Sequence, residues 1–493
     1  MTPTIATAPS ASLADIAAKV EAGQRLSYDD GVRLYAARDL FEIGRLANLV
    51  RERLHGDATY YNVNRHINYS NYCVLRCNFC SFYRAYDPAT AKRQNVETSK
   101  RQNEDAAEDQ LEVRSQRRAA SAVGVENANR PFSRDAQRPA SPARGSLALP
   151  VMSDTTPGGA NALGNGEHRH HSQGCETQAD APRSLMVDSA VVSSNDAAGA
   201  YELSIDDIVA RAAEAYAAGA TEVHIVGGLH PKLPFEFYLD LCRAIRAACP
   251  RIHIKAFTAI EIIHFTRIAR PRLSIRAVLE RLRDAGLGSL PGGGAEIFDD
   301  RVHDEAYRNK VGEEGWFDVH RAAHEIGMYT NATMLYGHIE RPEERIGHMI
   351  KLREHQDESL RSRQAAFNCF IPLSFIPDGS ALGHLPGPTG VDDLKTLAIS
   401  HLMLDNVPHI KAFWIMQSAK LAQVSLNWGV DDVDGTVVYY DITKREGGAG
   451  STHQEMTIDR MQCLIREAGR EPVERDTLYR RVERSGLNWR LAE

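Results

Sequence analysis

The chain has 493 residues, of which 43% are apolar, and it carries a net charge of -7 with a pI of about 6.3. This length suits one large barrel or two to three ordinary domains, and the mild negative charge argues against a nucleic-acid surface. Eight cysteines are too few for a disulfide framework in a chain this long. The chain has neither a signal-peptide pattern nor an apolar run of the ~20 residues that span a bilayer, so we expect a cytoplasmic protein without membrane contacts.

The first part of the chain divides into three segments of different composition. Residues 1–58 are expected to form an N-terminal helical segment packed over one end of the fold, and "YYNVNRHINYS" is predicted as the first strand. Residues 90–200 are rich in Ser, Ala, Arg, Asn and Gln, with Phe132 as the only aromatic residue. Such a stretch cannot bury enough apolar surface to offset its ordering entropy, so it is predicted to be a disordered insertion. The metal-ligand types in its "EHRHHSQGC" are interpreted as an accidental polar tract.

Short apolar strands alternate with amphipathic helices from residue 201 onward. The first helix is expected to start at Ser204, a good N-cap with Asp207 three residues later, and to end at Gly219. Including the first strand, eight strand–helix units can be counted, the last strand being "DGTVVYYDI". Strict alternation indicates a parallel sheet, and eight units predict an α/β fold of the (β/α)8 TIM-barrel type. The barrel is assigned to residues 59–89 and 201–450, and residues 451–493 to a C-terminal helical segment.

Three cysteines lie within eight residues in "NYCVLRCNFCSFYR", at Cys73, Cys77 and Cys80. A structural zinc site usually has four ligands and a disulfide uses two cysteines, whereas three thiolates suit a metal centre with one open position. The C-x3-C-x2-C spacing resembles that of the radical S-adenosylmethionine (SAM) superfamily, and Phe79 also fits it. This resemblance implies a [4Fe-4S] cluster held by the three cysteines, with SAM on the fourth iron. A zinc knuckle or chance clustering is the alternative.

Other unusual motifs follow later strands, where a barrel enzyme carries its chemistry. In "GGLHP", Gly227 and Gly228 would let the backbone approach the amino group of SAM, although a plain turn has the same pattern. Glu296 in "PGGGAEIF" is a candidate for binding the ribose of SAM, or else a cap of the next helix. Arg321 is a candidate for pairing the SAM carboxylate, or else a solvated helix residue.

Several longer motifs extend the resemblance to most of the chain between about Tyr60 and Arg484, outside the insertion. They are "NVNRHINYSNYCVLRCNFCSFYR", "EVHIVGGLHPKLPFEFYLDL", "HIKAFTAIEI", "SLPGGGAEIF", "NATMLYGHIE", "HLPGPTG" and "DGTVV". Together they resemble the aminofutalosine synthases of menaquinone biosynthesis. Cyclic dehypoxanthinyl futalosine synthases and deazaflavin (FO) synthase subunits are similar to this family and are the alternatives. A non-catalytic zinc-binding scaffold is the alternative outside the enzymes.

The resemblance implies that SAM is a co-substrate whose adenosyl radical adds to 3-[(1-carboxyvinyl)oxy]benzoate, with rearrangement and loss of a carboxylate to give 6-amino-6-deoxyfutalosine. A reducing partner such as flavodoxin or ferredoxin would supply the electron. Two carboxylates on the substrate call for hydrogen-bond donors at the strand ends. The substrate-binding candidates are His66, Asn68, Thr258 and Asn331. The candidates for catalytic roles are Glu261, His230 and His338.

Overall fold

A computed structural model describes residues 13–86, 199–439 and 453–492, all of which belong to one structural unit. Residues 90–198 of the predicted disordered insertion, including its "EHRHHSQGC" tract, lie outside the described residues. No helix in the part of the chain that the structure describes is long and apolar enough to cross a membrane.

The described elements alternate along most of the chain. The helices are α1 (Ala14–Glu21), α2 (Tyr28–Ala36), α3 (Leu40–His55), α4 (Ile205–Ala217), α5 (Phe235–Ala248), α6 (Ala259–Ile268), α7 (Ile275–Asp284), α8 (Asp300–Ala306), α9 (Glu313–Glu325), α10 (Pro342–Ser362), α11 (Gly390–Met403), α12 (Trp414–Gln417), α13 (Ala419–Ser425) and α14 (Ile458–Glu467). The strands are β1 (Ala58–Asn62), β2 (Asn64–Asn68), β3 (Glu222–Val226), β4 (His253–Ala256), β5 (Thr330–Tyr336), β6 (Phe367–Ser374), β7 (Asp432–Gly435), β8 (Val437–Tyr439), β9 (His453–Glu455), β10 (Glu471–Glu474), β11 (Val482–Ser485) and β12 (Asn488–Leu491).

The parallel strand pairings close a barrel. Strand β2 pairs with β3, β3 with β4, and β5 with β6, all in parallel. Short parallel bridges complete the ring, joining Lys255 to Ser289, Leu290 to residue 330, residue 370 to Ile410, and Lys411 to residue 432. Strand β7 then pairs with β1, which leads directly into β2. The predicted (β/α)8 barrel is therefore confirmed, with 289–290 and 410–411 as its two shortest strands.

The last strand and the C-terminal segment differ from the sequence prediction. The eighth barrel strand is β7, which begins at Asp432, two residues before the predicted "DGTVVYYDI". Strand β8 instead forms an antiparallel pair with β9. The C-terminal segment is not purely helical: it contains α14, then β10, which pairs with β1, and the hairpin β11–β12. These strands are only four residues long and contain charged residues, so they lack the apolar alternation that predicts a strand.

Side-chain caps explain why the helices start where they do. Ser204 and Asp207 form the predicted capping box of α4. Helix α6 is not among the predicted strand–helix units. Its signal is a second capping box, in which Thr258 accepts a hydrogen bond from the N–H of Glu261 and the Glu261 side chain accepts from the N–H of Thr258.

The N-terminal helices cover the N-terminal end of the barrel strands. Arg51 of α3 is fully buried and donates hydrogen bonds of 2.5 Å to the carbonyls of Gly56 and Ala58, where β1 begins. It also donates to the carbonyl of Val430, just before β7, at 3.3 Å. With that end of the barrel closed by protein, the open end is the one at which the strands terminate.

Candidate active site

The three cysteines lie in a loop that follows β2 at the C-terminal end of the barrel. The N–H of Cys73 donates to the carbonyl of Arg84 at 3.0 Å, and the N–H of Val74 donates to the carbonyl of Leu229 at 3.1 Å. The N–H of Asn78 donates to the carbonyl of Ala306 at 2.9 Å. The cysteine loop is therefore held by the loop after β3 and by the end of α8.

The thiols occupy an environment that favours their neutral form. Burial raises the pKa of Cys73 and Cys80, and it raises the pKa of Cys77 to about 12. Backbone N–H groups oppose this effect at Cys73, whose sulfur accepts a hydrogen bond from the N–H of Leu75 at 3.4 Å. A positive charge bound among the three sulfurs is what would convert them to thiolates.

The arrangement fits an iron–sulfur cluster better than a single zinc ion. Three sulfurs on one tetrahedral zinc, each at ~2.3 Å from the metal, would lie ~3.8 Å from one another. Within the described ranges, the three sulfur atoms do not all fall within 4.8 Å of one another, and no His, Asp or Glu completes such a group with two of them. A wider set of three thiols with hydrogen bonds to sulfur suits the larger group, so Cys73, Cys77 and Cys80 are the residues that would hold a [4Fe-4S] cluster.

The loop after β3 lies directly against the cysteine loop. The N–H of Gly228 donates to the carbonyl of Ser70 at 2.8 Å. A Cβ on Gly228 would overlap the carbonyl oxygen of Tyr72, and a Cβ on Gly227 would lie 2.6 Å from the ring of Tyr69. Both glycines are therefore required by close packing, and this packing places the loop beside Cys73.

The loop from Gly292 to Glu296 follows the fourth strand and packs against β5. A Cβ on Gly292 would lie 2.7 Å from the carbonyl oxygen of Asn331, and Gly294 has a φ of +93°, which favours glycine. Packing and backbone conformation thus explain why these positions are glycine, without the need for a ligand. Glu296 is buried and pairs with Lys310, so it is not the simple helix cap that the sequence offered as its alternative role.

Lys310 is a residue of this site that the sequence analysis missed. Its ammonium group lies 5.2 Å from the centre of the Phe79 ring, in the middle of the cysteine loop. Burial lowers the pKa of Lys310, but the Glu296 carboxylate together with Cys77 and Cys80 raises it, and the pKa ends above its usual value. An isolated lysine in "RNKVGEE" gives no sequence signal, because its partner Glu296 lies 14 residues away.

Arg321 does not join this site, which corrects the sequence prediction. It lies on α9, where its guanidinium group pairs with Asp318 of the same helix, and its side chain is 40% exposed. Its electrostatic neighbours are His355 and Glu358 of α10, in the layer of helices outside the barrel. Lys310, beside Phe79, is the cation that the structure brings to the cysteine loop.

The substrate-binding candidates lie along the strands and at their ends. His66 on β2 is buried, and its ring lies 4.4 Å from that of His224 on β3. The Asn68 side chain donates to the carbonyl of Val226 at 3.0 Å. Asn331 on β5 is also buried, and Thr258 is the N-cap of α6. These residues therefore come from several strands of one barrel.

The three candidates for catalytic roles all have partners within the protein. The Nε2 atom of His230 lies 2.6 Å from a carboxylate oxygen of Glu202, and its Nδ1 accepts from the N–H of Lys232. His338 is buried beside Glu340, and its Nε2 lies 3.1 Å from the carbonyl of Leu335. Glu261 accepts hydrogen bonds with both carboxylate oxygens. Burial raises the pKa of Glu261 to about 7 and lowers that of His338.

Comparison with solved structures agrees with this barrel. The chain superimposes on methylornithine synthase with a TM-score of 0.55 at 14% identity, covering 93% of this chain and 97% of that one. For the FeFe-hydrogenase maturase HydG from Carboxydothermus hydrogenoformans the TM-score is 0.56 at 13% identity, covering 95% and 80%. The radical SAM superfamily model matches residues 188–352, and the CofH/MqnC C-terminal region model matches residues 364–486. Fold, cysteine loop and superfamily match together define a radical SAM barrel enzyme that uses a [4Fe-4S] cluster and SAM.

Curated relatives narrow the family. The chain is 38% identical to the aminodeoxyfutalosine synthase of Thermus thermophilus, over 95% of this chain and 96% of that protein. It is 34% identical to the enzyme of the same name from Streptomyces coelicolor, over 94% and 92%. A 5-amino-6-(D-ribitylamino)uracil–L-tyrosine 4-hydroxyphenyl transferase of Methanosarcina acetivorans is 39% identical, but over only 58% of this chain and 76% of that protein. The chain belongs to the aminodeoxyfutalosine synthase family.

Proposed function

We propose that this protein joins the adenosyl group of SAM to 3-[(1-carboxyvinyl)oxy]benzoate and forms 6-amino-6-deoxyfutalosine for menaquinone biosynthesis. The observation that carries this proposal is the family match over 95% of the chain, together with a three-cysteine loop at the open end of the barrel. The barrel alone would not identify this reaction, because other radical SAM enzymes with different reactions share it.

Cys73, Cys77 and Cys80 would hold the cluster, which supplies the electron that cleaves SAM to methionine and a 5'-deoxyadenosyl radical. The carbonyls of the Gly227–Leu229 loop would orient the amino group of SAM, since this loop is hydrogen-bonded to the cysteine loop. Glu296 would accept from the ribose hydroxyls, with Lys310 holding the carboxylate in place. The chain thus provides the orientation of SAM on three sides.

The substrate side of the reaction takes place within the barrel. The adenosyl radical adds to the enol carbon–carbon bond, and the adduct radical attacks the benzoate ring at the ether-bearing carbon. Loss of the carboxylate as bicarbonate and return of an electron give the product, so SAM is consumed. Enclosure by the strands excludes water and stray hydrogen donors.

Candidates for binding the two substrate carboxylates are the strand residues His66, Asn68 and Asn331 and the helix N-cap Thr258. Burial lowers the pKa of His66 to about 4, so its imidazole is neutral near pH 7 and would donate a hydrogen bond without carrying a charge. The proposed acid–base groups are His230, His338 and Glu261. Their contacts within the protein also suit a second role, in which they position the neighbouring loops.

We also propose a one-electron carrier such as flavodoxin or ferredoxin as the partner, in the cytoplasm. The outer side of the cysteine loop supports this proposal, because Val74 is 53% exposed and Arg76 is also exposed. A donor that docks there would approach the cluster from outside the barrel. The seven described cysteines are free, which suits a reducing compartment.

The decisive experiment is anaerobic reconstitution with iron and sulfide, followed by incubation with SAM, a reductant and the enolpyruvyl benzoate. Mass spectrometry should find one adenosyl group attached to the product and bicarbonate released in equal amount. Free 5'-deoxyadenosine with dehypoxanthinyl futalosine as substrate would instead indicate the cyclising synthase. Product formed only from a ribitylaminouracil and tyrosine would indicate the transferase related to the FO synthases. Zinc without iron or sulfide in the anaerobically purified protein would contradict all of these readings.

A further inference from the structure

Glu261 makes more hydrogen bonds than helix capping requires. Its Oε2 accepts from the N–H and the hydroxyl of Thr258, at 2.7 and 2.8 Å, and these contacts complete the capping box of α6. Its Oε1 accepts from the hydroxyl of Tyr69 at 2.8 Å and from the N–H of Gly227 at 3.2 Å. The second oxygen therefore serves a purpose outside the helix.

These contacts join the C-terminal ends of three neighbouring strands of the barrel. Tyr69 directly follows β2, Gly227 directly follows β3, and Glu261 lies in the first turn of α6 after β4. The ring of Tyr69 fills the space in which a Cβ on Gly227 would lie, and Tyr69 is 1% exposed. Glu261 is also 1% exposed, so its carboxylate is shielded from solvent and its hydrogen bonds given above are all to protein groups.

The same loop is held on its other side by the cysteine loop. Gly228 donates its N–H to the carbonyl of Ser70, and Leu229 accepts at its carbonyl from the N–H of Val74. The segment Gly227–Leu229 is thus fixed between a buried carboxylate and the residues next to Cys73. Removing the carboxylate would leave the N–H of Gly227 without this acceptor, while the Tyr69 hydroxyl could still donate to the carbonyl of Gly228, at 3.2 Å.

We propose that Glu261 and Tyr69 form a buried clamp that positions the Gly227–Leu229 loop relative to the cysteines, and thereby sets how tightly SAM binds. This inference rests on the proposed function, because it takes SAM as the ligand of that loop. In this role Glu261 and Tyr69 are positioning residues that act through the loop, which is the alternative to the acid–base role of Glu261 proposed above.

The test compares Glu261→Gln and Tyr69→Phe with Asp207→Asn in the full-length protein, all reconstituted with iron and sulfide. Asp207 is a matched control, because it is the acidic member of the capping box of α4 and has no contact with the SAM loop. Equilibrium dialysis gives the dissociation constant of SAM, and EPR of the reduced cluster with and without SAM reports how SAM is held. Iron and sulfide contents and thermal midpoints are measured on every sample.

Both clamp variants should keep the cluster, weaken SAM binding by about tenfold, and reduce the change that SAM causes in the EPR spectrum. Asp207→Asn should lower only the thermal midpoint. If Tyr69→Phe and Glu261→Gln bind SAM as tightly as the wild type, Glu261 is a helix cap and the clamp is wrong. Lost turnover with unchanged SAM affinity would also overturn it and place Glu261 in the substrate chemistry.

Two further results separate this inference from the function on which it rests. If Glu261→Gln does not fold, Tyr69→Phe decides the matter alone, because it removes a single hydroxyl from a ring that stays in place. If the wild-type protein assembles no cluster or binds no SAM, the proposed function and the clamp fail together. If the wild type makes a different radical SAM product, the function fails, while weakened SAM binding in the clamp variants still supports the clamp.

Discussion

The two ends of the barrel are both polar and largely buried, but they satisfy their polar groups differently. At the N-terminal end, Arg475 pairs with Asp432 at 2.6 Å, and His409 Nδ1 lies 2.6 Å from Asp431. At the C-terminal end, burial raises the pKa values of three thiols in one loop, and no described His, Asp or Glu forms a close metal group with them. The charged groups named at the first end pair with each other, whereas the three thiols of the second end are the residues that would hold a bound group.

This difference indicates where stability and chemistry reside. A buried charge that has its partner stabilises the fold only as long as both members remain, so variants at the N-terminal end should unfold the protein. A residue whose partner is a bound ligand contributes little to the free energy of unfolding. Variants at the C-terminal end should therefore lose function and stay folded. The following experiments test this contrast, from the largest expected effect to the smallest.

Replacing any one of Cys73, Cys77 or Cys80 with alanine should abolish detectable turnover and leave the thermal midpoint almost unchanged. Each thiol lies in a loop outside the strands, and three ligands are the least that would hold the cluster. Iron and sulfide analysis, absorbance and activity on the same sample provide the measurement. Cys463→Ala, at a partly exposed position on α14, is the control and should retain the iron and sulfide contents, the absorbance and the activity of the wild type. An alanine variant with a full cluster and wild-type turnover would exclude that cysteine as a ligand.

Acid should unfold the protein well above the pH at which carboxylates titrate. Burial lowers the pKa of His66 and His253 to about 4 and that of His348 to about 3, from 6.5. Below pH 6.5 these histidines become protonated in the unfolded chain but stay neutral in the folded protein. The free energy of unfolding therefore decreases as the pH falls. Each histidine should remove about 2 kcal/mol between pH 6.5 and about pH 5. Glu261, with its pKa raised to about 7, acts in the opposite sense, but it is a single group.

Urea unfolding at several pH values measures this effect. His348→Gln should flatten the dependence of the unfolding free energy on pH by about one proton, because one buried neutral imidazole is gone. His384→Gln, at an exposed position, is the control and should leave the profile as it is. A wild-type profile that stays flat between pH 6.5 and about pH 5 would show that the buried histidines do not govern acid stability.

Asp432→Asn tests the N-terminal end and should lower the free energy of unfolding by about 3–5 kcal/mol. Asp432 is fully buried, and its loss leaves the buried guanidinium group of Arg475 without its charged partner. Urea unfolding provides the measurement. Asp240→Asn breaks an exposed pair with Arg243 and should cost at most about 1 kcal/mol. If the two variants cost the same, the N-terminal end does not carry the stability assigned to it.

Glu296→Gln tests the C-terminal end and should weaken SAM binding about ten- to a hundredfold, with cluster absorbance unchanged. Loss of a charged acceptor to hydroxyl donors is worth about 1.5–3 kcal/mol. Glu313→Gln is the control, because Glu313 pairs with Lys351 at 2.6 Å on the outer helices and is partly exposed. Unaltered SAM affinity with lost turnover would move Glu296 into the substrate chemistry. If neither quantity changes, its role is confined to pairing with Lys310.

Local patterns explain what the sequence could predict. Buried strands and capped helices have short-range signals, so the capping box of Ser204 and Asp207 and the cysteine spacing were both visible. The capping box of Thr258 and Glu261 is equally local, but the sequence analysis did not identify it and considered both residues only as candidates for the site. The eighth strand was placed two residues late, because its first residues are acidic and do not look like a buried strand.

Contacts between distant parts of the chain could not be predicted in this way. Glu296 pairs with Lys310 across a helix, and Tyr69 reaches Glu261 across 192 residues. The roles of Lys310 and Tyr69 cannot be recognised from the sequence, because only the fold brings their partners close to them. The same limit explains Arg321, whose position after the fourth strand suggested the active site, although its helix turns it toward the outer layer.

The smallest effect is expected from deleting Ala91 to Asn195, which should leave turnover unchanged. The two flanks of this stretch are already joined through Asn71, whose carbonyl accepts from the N–H of Arg84 at 2.7 Å. The Asn71 side chain accepts from the N–H of Tyr201 at 2.8 Å and donates to the carbonyl of Gly199 at 3.0 Å. Deletion leaves residues 87–90 and 196–198 to connect two chain ends that this asparagine holds together.

Loop length has only a weak effect on stability, about 0.6 kcal/mol for each doubling, so the shortened loop should not unfold the barrel. Turnover, iron content and thermal midpoint of the deletion variant, compared with the full chain, are the measurements. Asn71→Ala in the deletion background is the informative partner, because it frees both flanks beside Cys73 and should lower cluster content where the deletion alone does not. A deletion variant that is folded and loaded with cluster but inactive would show that residues 91–195 take part in the reaction. The C-terminal end of the barrel would then be completed by protein as well as by its bound group.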